Sequence, residues 1–407
     1  MTGRRWVISL SSLLTIVMVI GAILGCVITY KGNKFIASIA NPQATVERFS
    51  VIASINSRWR SVEEIKRRPL YFMTNERARA DEVRRLVDGS NLIAIASYSE
   101  LASLLRRDAT SVVILNEAYR TAIEASDPTF SQDTRVLKIF EFTSQSRQAV
   151  FHPGKPFNLY VSGSDTKGPL AAASRSDVNI IISVNPVARR IHITTIPRDS
   201  YVAIAGGGRG QKDKLTHASI YGIDSSQATL EQLLETRIDA YVRINFTSFT
   251  KVIDYIGGVT VHNPVAFRAY DGRMFAEGDI TLTGAEALSF ARERKSLEGG
   301  DIDRGKNQLR IVEAVIHKLL TRQSLAVDDA LQTLGKSLQT NMSEATLHQL
   351  IGDQIGKQWT VTSSSLRGRG QTGGLPSYAM PGYQLYMYVL DERSVQEARA
   401  RIRQLLQ

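Results

Sequence analysis

From Trp6 to Tyr30 the chain runs through 25 consecutive uncharged positions, preceded by Arg4 and Arg5 and followed by Lys31 and Lys34. As a helix such a run crosses the ~30 Å of a bilayer's hydrocarbon, so residues 1–30 are predicted to form one N-terminal transmembrane helix. A cleaved signal peptide fits less well, because the run exceeds an ordinary h-region and no small-x-small site follows it cleanly. No later segment is long and apolar enough to cross back. The pattern therefore predicts a single-pass anchor in the cell membrane, with residues 31–407 outside the cell.

Beyond the anchor, residues 35–68 are amphipathic at helical spacing and predict a helix ending near Arg67-Arg68-Pro69. Short apolar runs at Leu70–Met73, Leu92–Ile95 and Ser111–Leu115 then alternate with helical patterns at Glu76–Val87, Tyr98–Leu105 and Glu117–Ala125, closing with Arg135–Phe142. That alternation predicts a small α/β accessory domain over residues 31–150. Around Ser144–Lys155 the pattern breaks, and Phe151-His152-Pro153-Gly154 marks the interruption.

A second α/β domain with a mixed sheet is predicted over residues 151–407. Its strands read as Phe157–Ser162, Val178–Val184, Arg190–Ile196 and Ala240–Ile244, with Asn185-Pro186 as a turn between the second and third. Helices are expected at Ala228–Leu234 and at residues 246–256, the latter ending on Gly257-Gly258. Thr283-Gly284-Ala285-Glu286 reads as a capping box opening another helix. Lys306–Leu320 places apolar residues at 309, 312, 315, 316, 319 and 320, one buried helical face.

Composition narrows the chemistry. With 43% hydrophobic residues in 407 the chain can build real cores, which excludes intrinsic disorder as its overall state. Its net charge of +11 is spread along the chain and suits an anionic partner without naming one. The single Cys, Cys26, lies in the apolar run, so disulfide frameworks and Cys-rich zinc sites are excluded. Six His residues form no HExxH, and any metal would be a hard cation held by oxygens.

Charge gathers beyond the needs of a solvated loop at three places. Asp165 follows one strand and Asp177 opens the next, so the two carboxylates could share one hard cation; both also suit turns and caps. Arg198, in Ile196-Pro197-Arg198-Asp199-Ser200, leaves a buried strand where ligands of open α/β sheets commonly sit. It is a candidate phosphate clamp, or else half of a surface Arg–Asp pair. Arg292 and Arg294 straddle a helix end, and Asp301-Ile302-Asp303-Arg304 leads to Gln308, four residues beyond Arg304 and on its helical face. Guanidiniums converging there repel one another unless an anion neutralises them, and phosphate or pyrophosphate fits their planar forks. Lys214, after the glycine-rich Gly206-Gly207-Gly208-Arg209-Gly210, could add a further cation. Gly300–Asn307 imitates a Walker A loop but places Asn307 where Ser or Thr must meet magnesium, which argues against a nucleotide P-loop.

Taken in order, Ser174-Arg175-Ser176-Asp177, Ile196-Pro197-Arg198-Asp199, Lys214-Leu215-Thr216-His217-Ala218, Ile256-Gly257-Gly258-Val259, and Arg292-Glu293-Arg294 through Arg304-Gly305-Lys306-Asn307-Gln308 resemble the LytR-CpsA-Psr family over about residues 157–320. The ending Leu375-Pro376-Ser377-Tyr378-Ala379-Met380-Pro381, with the domain before it, is similar to the capsule-locus CpsA-like branch. The resemblance implies a fold whose mixed sheet and helices sheathe a lipid tunnel, to which residues 246–256 and 306–320 could contribute. It implies a metal-dependent phosphotransferase that moves a glycopolymer, as its sugar phosphate, from a polyprenyl-pyrophosphate carrier to peptidoglycan. By motif position Asp165 and Asp177 hold Mg²⁺ or Mn²⁺, while Arg175, Arg198, Arg292, Arg294, Arg304 and Gln308 hold the pyrophosphate. Asp301 or Asp303 assists the acceptor hydroxyl. Implied partners are the polyprenyl-linked polysaccharide, of capsular type, the peptidoglycan acceptor, the membrane and capsule-synthesis machinery. Members of that branch usually carry more membrane segments than the one found here.

Two other functions fit less well. A membrane-bound transcription regulator needs a DNA-binding element inside the cell, where this topology leaves residues 1–5 alone, so no nucleic-acid partner is expected. A non-catalytic wall-polymer binder or regulator of capsule synthesis shares the binding residues and differs in lacking transfer.

Overall fold

A computed structural model of the chain describes residues 7–9, 45–120, 123–124, 127–144, 149, 152, 154–164, 175–255, 257–320, 338–342 and 358–407. Val7–Ser9 form a short strand, β1, where the sequence predicted the start of a membrane helix. Val and Ile suit a strand, and β1 closes one edge of the large sheet. The rest of that predicted span lies outside the described residues, and among them no helix is long and apolar enough to cross a membrane.

The small domain is a five-stranded sheet in the order β4-β3-β5-β2-β6. Its elements are β2 (Thr45–Ser54), β3 (Leu70–Met73), α1 (Arg77–Leu86), β4 (Leu92–Ile95), α2 (Tyr98–Arg107), β5 (Val112–Asn116) and β6 (Thr134–Ser144). β3 runs parallel to β4 and β5, whereas β2 lies antiparallel between β5 and β6. The helix predicted over 35–68 is corrected here: Thr45–Ser54 is a strand, and Glu63–Ile65 is a single 3-10 turn. β2 is buried from Phe49 to Ser54, so its apolar residues do not alternate with polar ones and the period-2 signal is lost.

The large sheet has the order β1-β18-β9-β8-β7-β12-β17. Its strands after β1 are β7 (Phe157–Ser164), β8 (Ser176–Asn185), β9 (Arg190–Thr195), β12 (Ala240–Asn245), β17 (Leu338–Thr340) and β18 (Gln358–Ser365). β7-β8-β9 form an antiparallel meander, flanked by parallel neighbours, β12 beside β7 and β18 beside β9. Smaller hairpins hang from it: β10 (Tyr201–Ala203) with β11 (Lys212–Lys214), β13 (Val259–Asn263) with β16 (Gly278–Leu282), β14 (Phe267–Arg268) with β15 (Met274–Phe275), and β19 (Gly368–Thr372) with β20 (Tyr386–Leu390).

Helices cover both faces. β8 points Ile180 and Ile182 to one side, into a core with Phe290 and Ile311, and Ile181 to the other, into a core with Leu230 and Ile402. The first core is covered by α4 (Phe246–Tyr255), α5 (Gly284–Arg292) and α6 (Asp301–Leu320), and the second by α3 (Ile223–Leu234) and α7 (Glu392–Leu406). Burial on both faces explains why Ile180-Ile181-Ile182 is continuously apolar. The predicted capping box is present, with the Thr283 hydroxyl accepting from the Glu286 N–H and the Glu286 carboxylate from that of Thr283.

The two domains share a seam. Ile220, Ala379 and Met380 of the large domain sit in the small domain's core beside Tyr98, Leu101 and Tyr119. Asp213 anchors that segment: buried, it accepts hydrogen bonds from Ser377 Oγ at 2.8 Å and the Ala379 N–H at 2.6 Å, and pairs with His217 Nδ1 at 2.9 Å. Burial works against its charge, yet His217 and these donors hold its carboxyl below the usual aspartate range. Asn75 Nδ2 donates to the Tyr378 carbonyl at 3.1 Å, and Tyr119 Oη meets Tyr221 Oη at 3.2 Å.

Glu76 stands at the same seam. Burial pushes its carboxyl up to about 7, against the hydrogen bond it accepts from Asn116 Nδ2 at 3.1 Å. The folded state thus binds this proton more tightly than the unfolded one, whose value is near the ordinary 4.5, and stability falls as pH rises from there through 7. Glu76→Gln is expected to raise the unfolding free energy by on the order of 2 kcal/mol at pH 8 and to change little at pH 4. Urea titrations at the two pH values check it.

Candidate active site

At one end of the large sheet, the end of β7, the start of β8, the exit of β9 and the first turns of α6 meet. Gly163 makes their close approach possible, since a Cβ there would lie 2.8 Å from that of Val178, and the β7–β8 register shifts at the next residue. The loop leaving β9 is pinned from three sides by backbone hydrogen bonds. The Ile196 N–H donates to the Asn179 carbonyl at 2.9 Å, Thr216 N–H to Arg198 at 2.8 Å, and Tyr388 N–H to Asp199 at 2.8 Å. Arg198 therefore stands on a fixed backbone.

Its guanidinium donates from Nη1 to Asp177 Oδ1 at 2.9 Å, and its Nε lies 3.4 Å from Asp199 Oδ2. Lys214 Nζ completes the chain, donating to Asp199 Oδ1 at 2.8 Å. Burial opposes the Asp199 charge, but Arg198, Lys214 and Arg304 outweigh it and keep the carboxyl below its usual range.

α5 and α6 supply the other cations. Arg292 donates to Tyr270 Oη at 2.8 Å and lies over the rings of Phe246 and Tyr270, 4.7 and 4.8 Å from their centres. Between the two arginines Glu293 turns inward, only 2% exposed. It accepts the N–H groups of Tyr270, Arg294 and Ser296, which fixes the turn from which Arg292 and Arg294 project. Arg304 and Gln308 share one face of α6, and Gln308 Nε2 reaches the Ala291 carbonyl at 3.4 Å.

These groups line two cavities that share a wall. The larger, about 340 Å³, is lined by Arg198, Arg292, Arg294 and Arg304 with Asp177 as the one carboxylate among the described residues, and its apolar surface comes from Val161, Ile180, Ile244, Phe249, Leu288 and Val312. Both helices expected to sheathe a lipid, residues 246–256 and 306–320, contribute to it. The smaller, about 60 Å³, opens across Asp177, Arg198, Arg304 and Gln308 and is bounded beyond them by Asn179, Thr195, Ser365, Tyr386 and Tyr388. Four guanidiniums gathered among apolar side chains, as the described lining has it, suit an anion carrying a long hydrocarbon.

Of the residues picked from the sequence, Asp177, Arg198, Arg292, Arg294, Arg304 and Gln308 are brought together. Lys214 stands one step behind and acts through Asp199. Arg175 precedes β8 by one residue and lines neither cavity. Asp303 also lines neither: it accepts from Lys306 Nζ at 2.7 Å and from the Gly299 N–H at 2.8 Å, and the bond to Lys306 holds its carboxyl below the usual range. Asp165 and the Asp301 side chain lie outside the described residues. Among the described residues no group of three or more His, Cys, Asp or Glu could hold a metal ion.

The Arg–Asp pair that the sequence offered as the alternative for Arg198 is present, but half-buried and shared with Lys214 rather than on the surface, and Tyr270, Tyr386 and Tyr388 were missed entirely. The tyrosines carry no local signal, because each reaches the site through the tertiary fold.

Comparison with known proteins places the arrangement. The LytR_cpsA_psr family profile matches residues 113–403. The chain belongs to that family. The match begins inside β5 of the small domain and runs to α7. Among curated members, it is 34% identical to the polyisoprenyl-teichoic acid–peptidoglycan teichoic acid transferase TagU of Bacillus cereus over 236 residues, 57% of this chain and 76% of that one. With the protein of the same name from Halalkalibacterium halodurans it shares 37% identity over 218 residues, 53% and 70% of the two chains. Among solved structures, the B. subtilis TagV crystal structure superposes with a TM-score of 0.51 at 27% identity, covering 62% of this chain and 98% of TagV. A structure of TagT bound to LI-WTA gives 0.50 at 27% identity, covering 64% and 97%.

Asp199 tests the electrostatics of this family member's site. Asp199→Asn leaves Lys214, 14% exposed, without its counter-charge. It is expected to lower the unfolding free energy by about 3 kcal/mol at pH 7. Because the folded carboxyl is depressed, that contribution exists above the ordinary aspartate range and is lost as pH falls below it. Chemical denaturation of the two proteins at pH 7 and in acid should show the gap closing.

Proposed function

We propose that this protein moves a cell-wall glycopolymer, as its sugar phosphate, from a polyprenyl-pyrophosphate carrier to a hydroxyl of peptidoglycan. The new bond joins the acceptor oxygen to the sugar-bound phosphorus. The bond from that phosphorus to the bridging oxygen breaks, and polyprenyl phosphate departs with the electron pair. The acceptor's proton passes to a carboxylate or to solvent.

One observation carries this reading: a cavity of about 340 Å³ is lined both by four arginines and by apolar side chains from the sheet and from the helices over it. Phosphoryl transfer depends on in-line placement and neutralised charge more than on a protein nucleophile. Arg198, Arg292, Arg294, Arg304 and Gln308 would grip the pyrophosphate, and the chamber between sheet and helices would take the polyprenyl chain. The teichoic acid transferases among its relatives support the same class of reaction.

Asp177, with Asp165, would hold Mg²⁺ or Mn²⁺. The described donors near it, Ser164 and Asn179, are oxygens or amides of the hard kind such an ion takes. Bound there, the ion would neutralise charge on the pyrophosphate. Because Asp303 is committed to Lys306 and Gly299, assistance to the acceptor hydroxyl falls better to Asp301. A capsular identity for the polymer rests on the Leu375–Pro381 ending and the preceding domain, whereas the relatives are named for teichoic acid. A single membrane anchor at the uncharged stretch Trp6–Tyr30 would face the catalytic domain to the wall, and it requires Val7–Ser9 to leave the sheet edge where β1 pairs with β18.

The full chain in nanodiscs, given a polyprenyl-pyrophosphate glycan, uncross-linked peptidoglycan and Mg²⁺, is expected to release polyprenyl phosphate and join glycan to peptidoglycan. Supplying teichoic acid and capsular donors in parallel identifies the polymer. Arg198→Ala and Arg292→Ala should each cost on the order of 10²–10³ in rate. Donor binding without transfer, unmoved by either substitution, would instead establish a binding protein.

A further inference from the structure

We propose that the β19–β20 hairpin builds a second subsite, in which Tyr386 carries the sugar ring of the acceptor. The inference rests on the transferase reading and adds the residues that choose what receives the polymer.

In-line displacement puts the attacking oxygen on the far side of phosphorus from the leaving oxygen. If the hydrocarbon fills the apolar cavity, the acceptor must come from the other side of the arginine wall. The smaller cavity lies there, sharing Asp177, Arg198, Arg304 and Gln308 with its neighbour. Its remaining wall differs in kind. Thr195, Ser365 and Asn179 offer short polar groups, and Tyr386 and Tyr388 offer rings.

The hairpin is fastened to the catalytic loop. Tyr388 N–H donates to the Asp199 carbonyl at 2.8 Å, and Ser200 bridges to Tyr388. Tyr386 is held from behind: a Cβ on Gly370 would fall 2.2–2.7 Å from its Oη, Cε2 and Cζ, so the ring lies directly over that bare backbone. Yet Tyr386 remains 38% exposed at the cavity rim.

A sugar presents an apolar face of C–H bonds and a periphery of hydroxyls, and a rigid ring beside short hydroxyl and amide side chains answers both. The smaller cavity, about 60 Å³, is a narrow recess with Tyr386 at its rim. It admits a hydroxyl-bearing edge, with the ring left outside across Tyr386. The geometry thus aims one hydroxyl at the phosphorus held by Arg198 and Arg304.

The test uses the full chain in nanodiscs with a soluble, uncross-linked peptidoglycan glycan as probe. Saturation-transfer NMR measures acceptor binding without donor, and steady-state kinetics give separate KM values for donor and acceptor. Tyr386→Ala is expected to weaken acceptor binding and raise acceptor KM about tenfold, with donor KM within twofold. Tyr386→Phe should retain most of the affinity, and Gly370→Ala, which pushes the ring from its seat, should fall between. A rise confined to donor KM would assign the platform to the polymer's own first sugar and overturn the proposal. So would acceptor binding unchanged in Tyr386→Ala. If the wild type binds acceptor through Tyr386 but transfers nothing, the transferase reading fails and the subsite stands.

Discussion

Several arginines can occupy one small space only if something answers their charge, and the site is organised around that constraint. Asp177 and Asp199 flank Arg198, and Lys214 backs Asp199, so positive and negative groups alternate along the loop leaving β9. Arg292 is held in another way. It is steadied by two aromatic faces, which attract a cation without neutralising it. Among the described residues lining the larger cavity, four guanidiniums and Asp177 thus stand together in a geometry these contacts set. Preorganisation of this kind is worth more than raw charge, because no reorientation has to accompany the reaction.

Much of this was legible in the sequence. Strands of the central meander announced themselves through Ile180-Ile181-Ile182 and the turn at Asn185-Pro186, and the capping box at Thr283–Glu286 opened its helix where expected. Helical spacing put Arg304 and Gln308 on one face, and the family resemblance implied that Arg198, Arg292 and Arg294 join them. Other features were hidden for physical reasons. Buried without interruption from Phe49 to Ser54, β2 shows no period of 2. Asp303 sits one residue from Arg304 but serves a turn and a lysine, a choice made by side-chain direction that spacing alone does not fix. Tyr386 follows Arg198 by almost two hundred positions and meets it only because β20 docks on the loop after β9.

The motif residues also divide their labour in a way that letters do not show. In Lys214-Leu215-Thr216-His217-Ala218, Lys214 serves the catalytic loop while His217 serves Asp213 and the seam between domains. In Arg292-Glu293-Arg294, the middle residue faces inward as scaffold and the outer two face the ligand cavity. Adjacent positions thus serve the scaffold and the cavity separately.

The segment through Ala379 and Met380, embedded in the small domain's core, is followed after five residues by β20, whose tyrosines bound the smaller cavity. A trans peptide advances the chain by at most ~3.6 Å per residue, so those five residues keep the rim of the smaller cavity within about 20 Å of the small domain's core. One short stretch of chain thus belongs to both, buried in one domain at its start and bounding the other domain's cavity at its end.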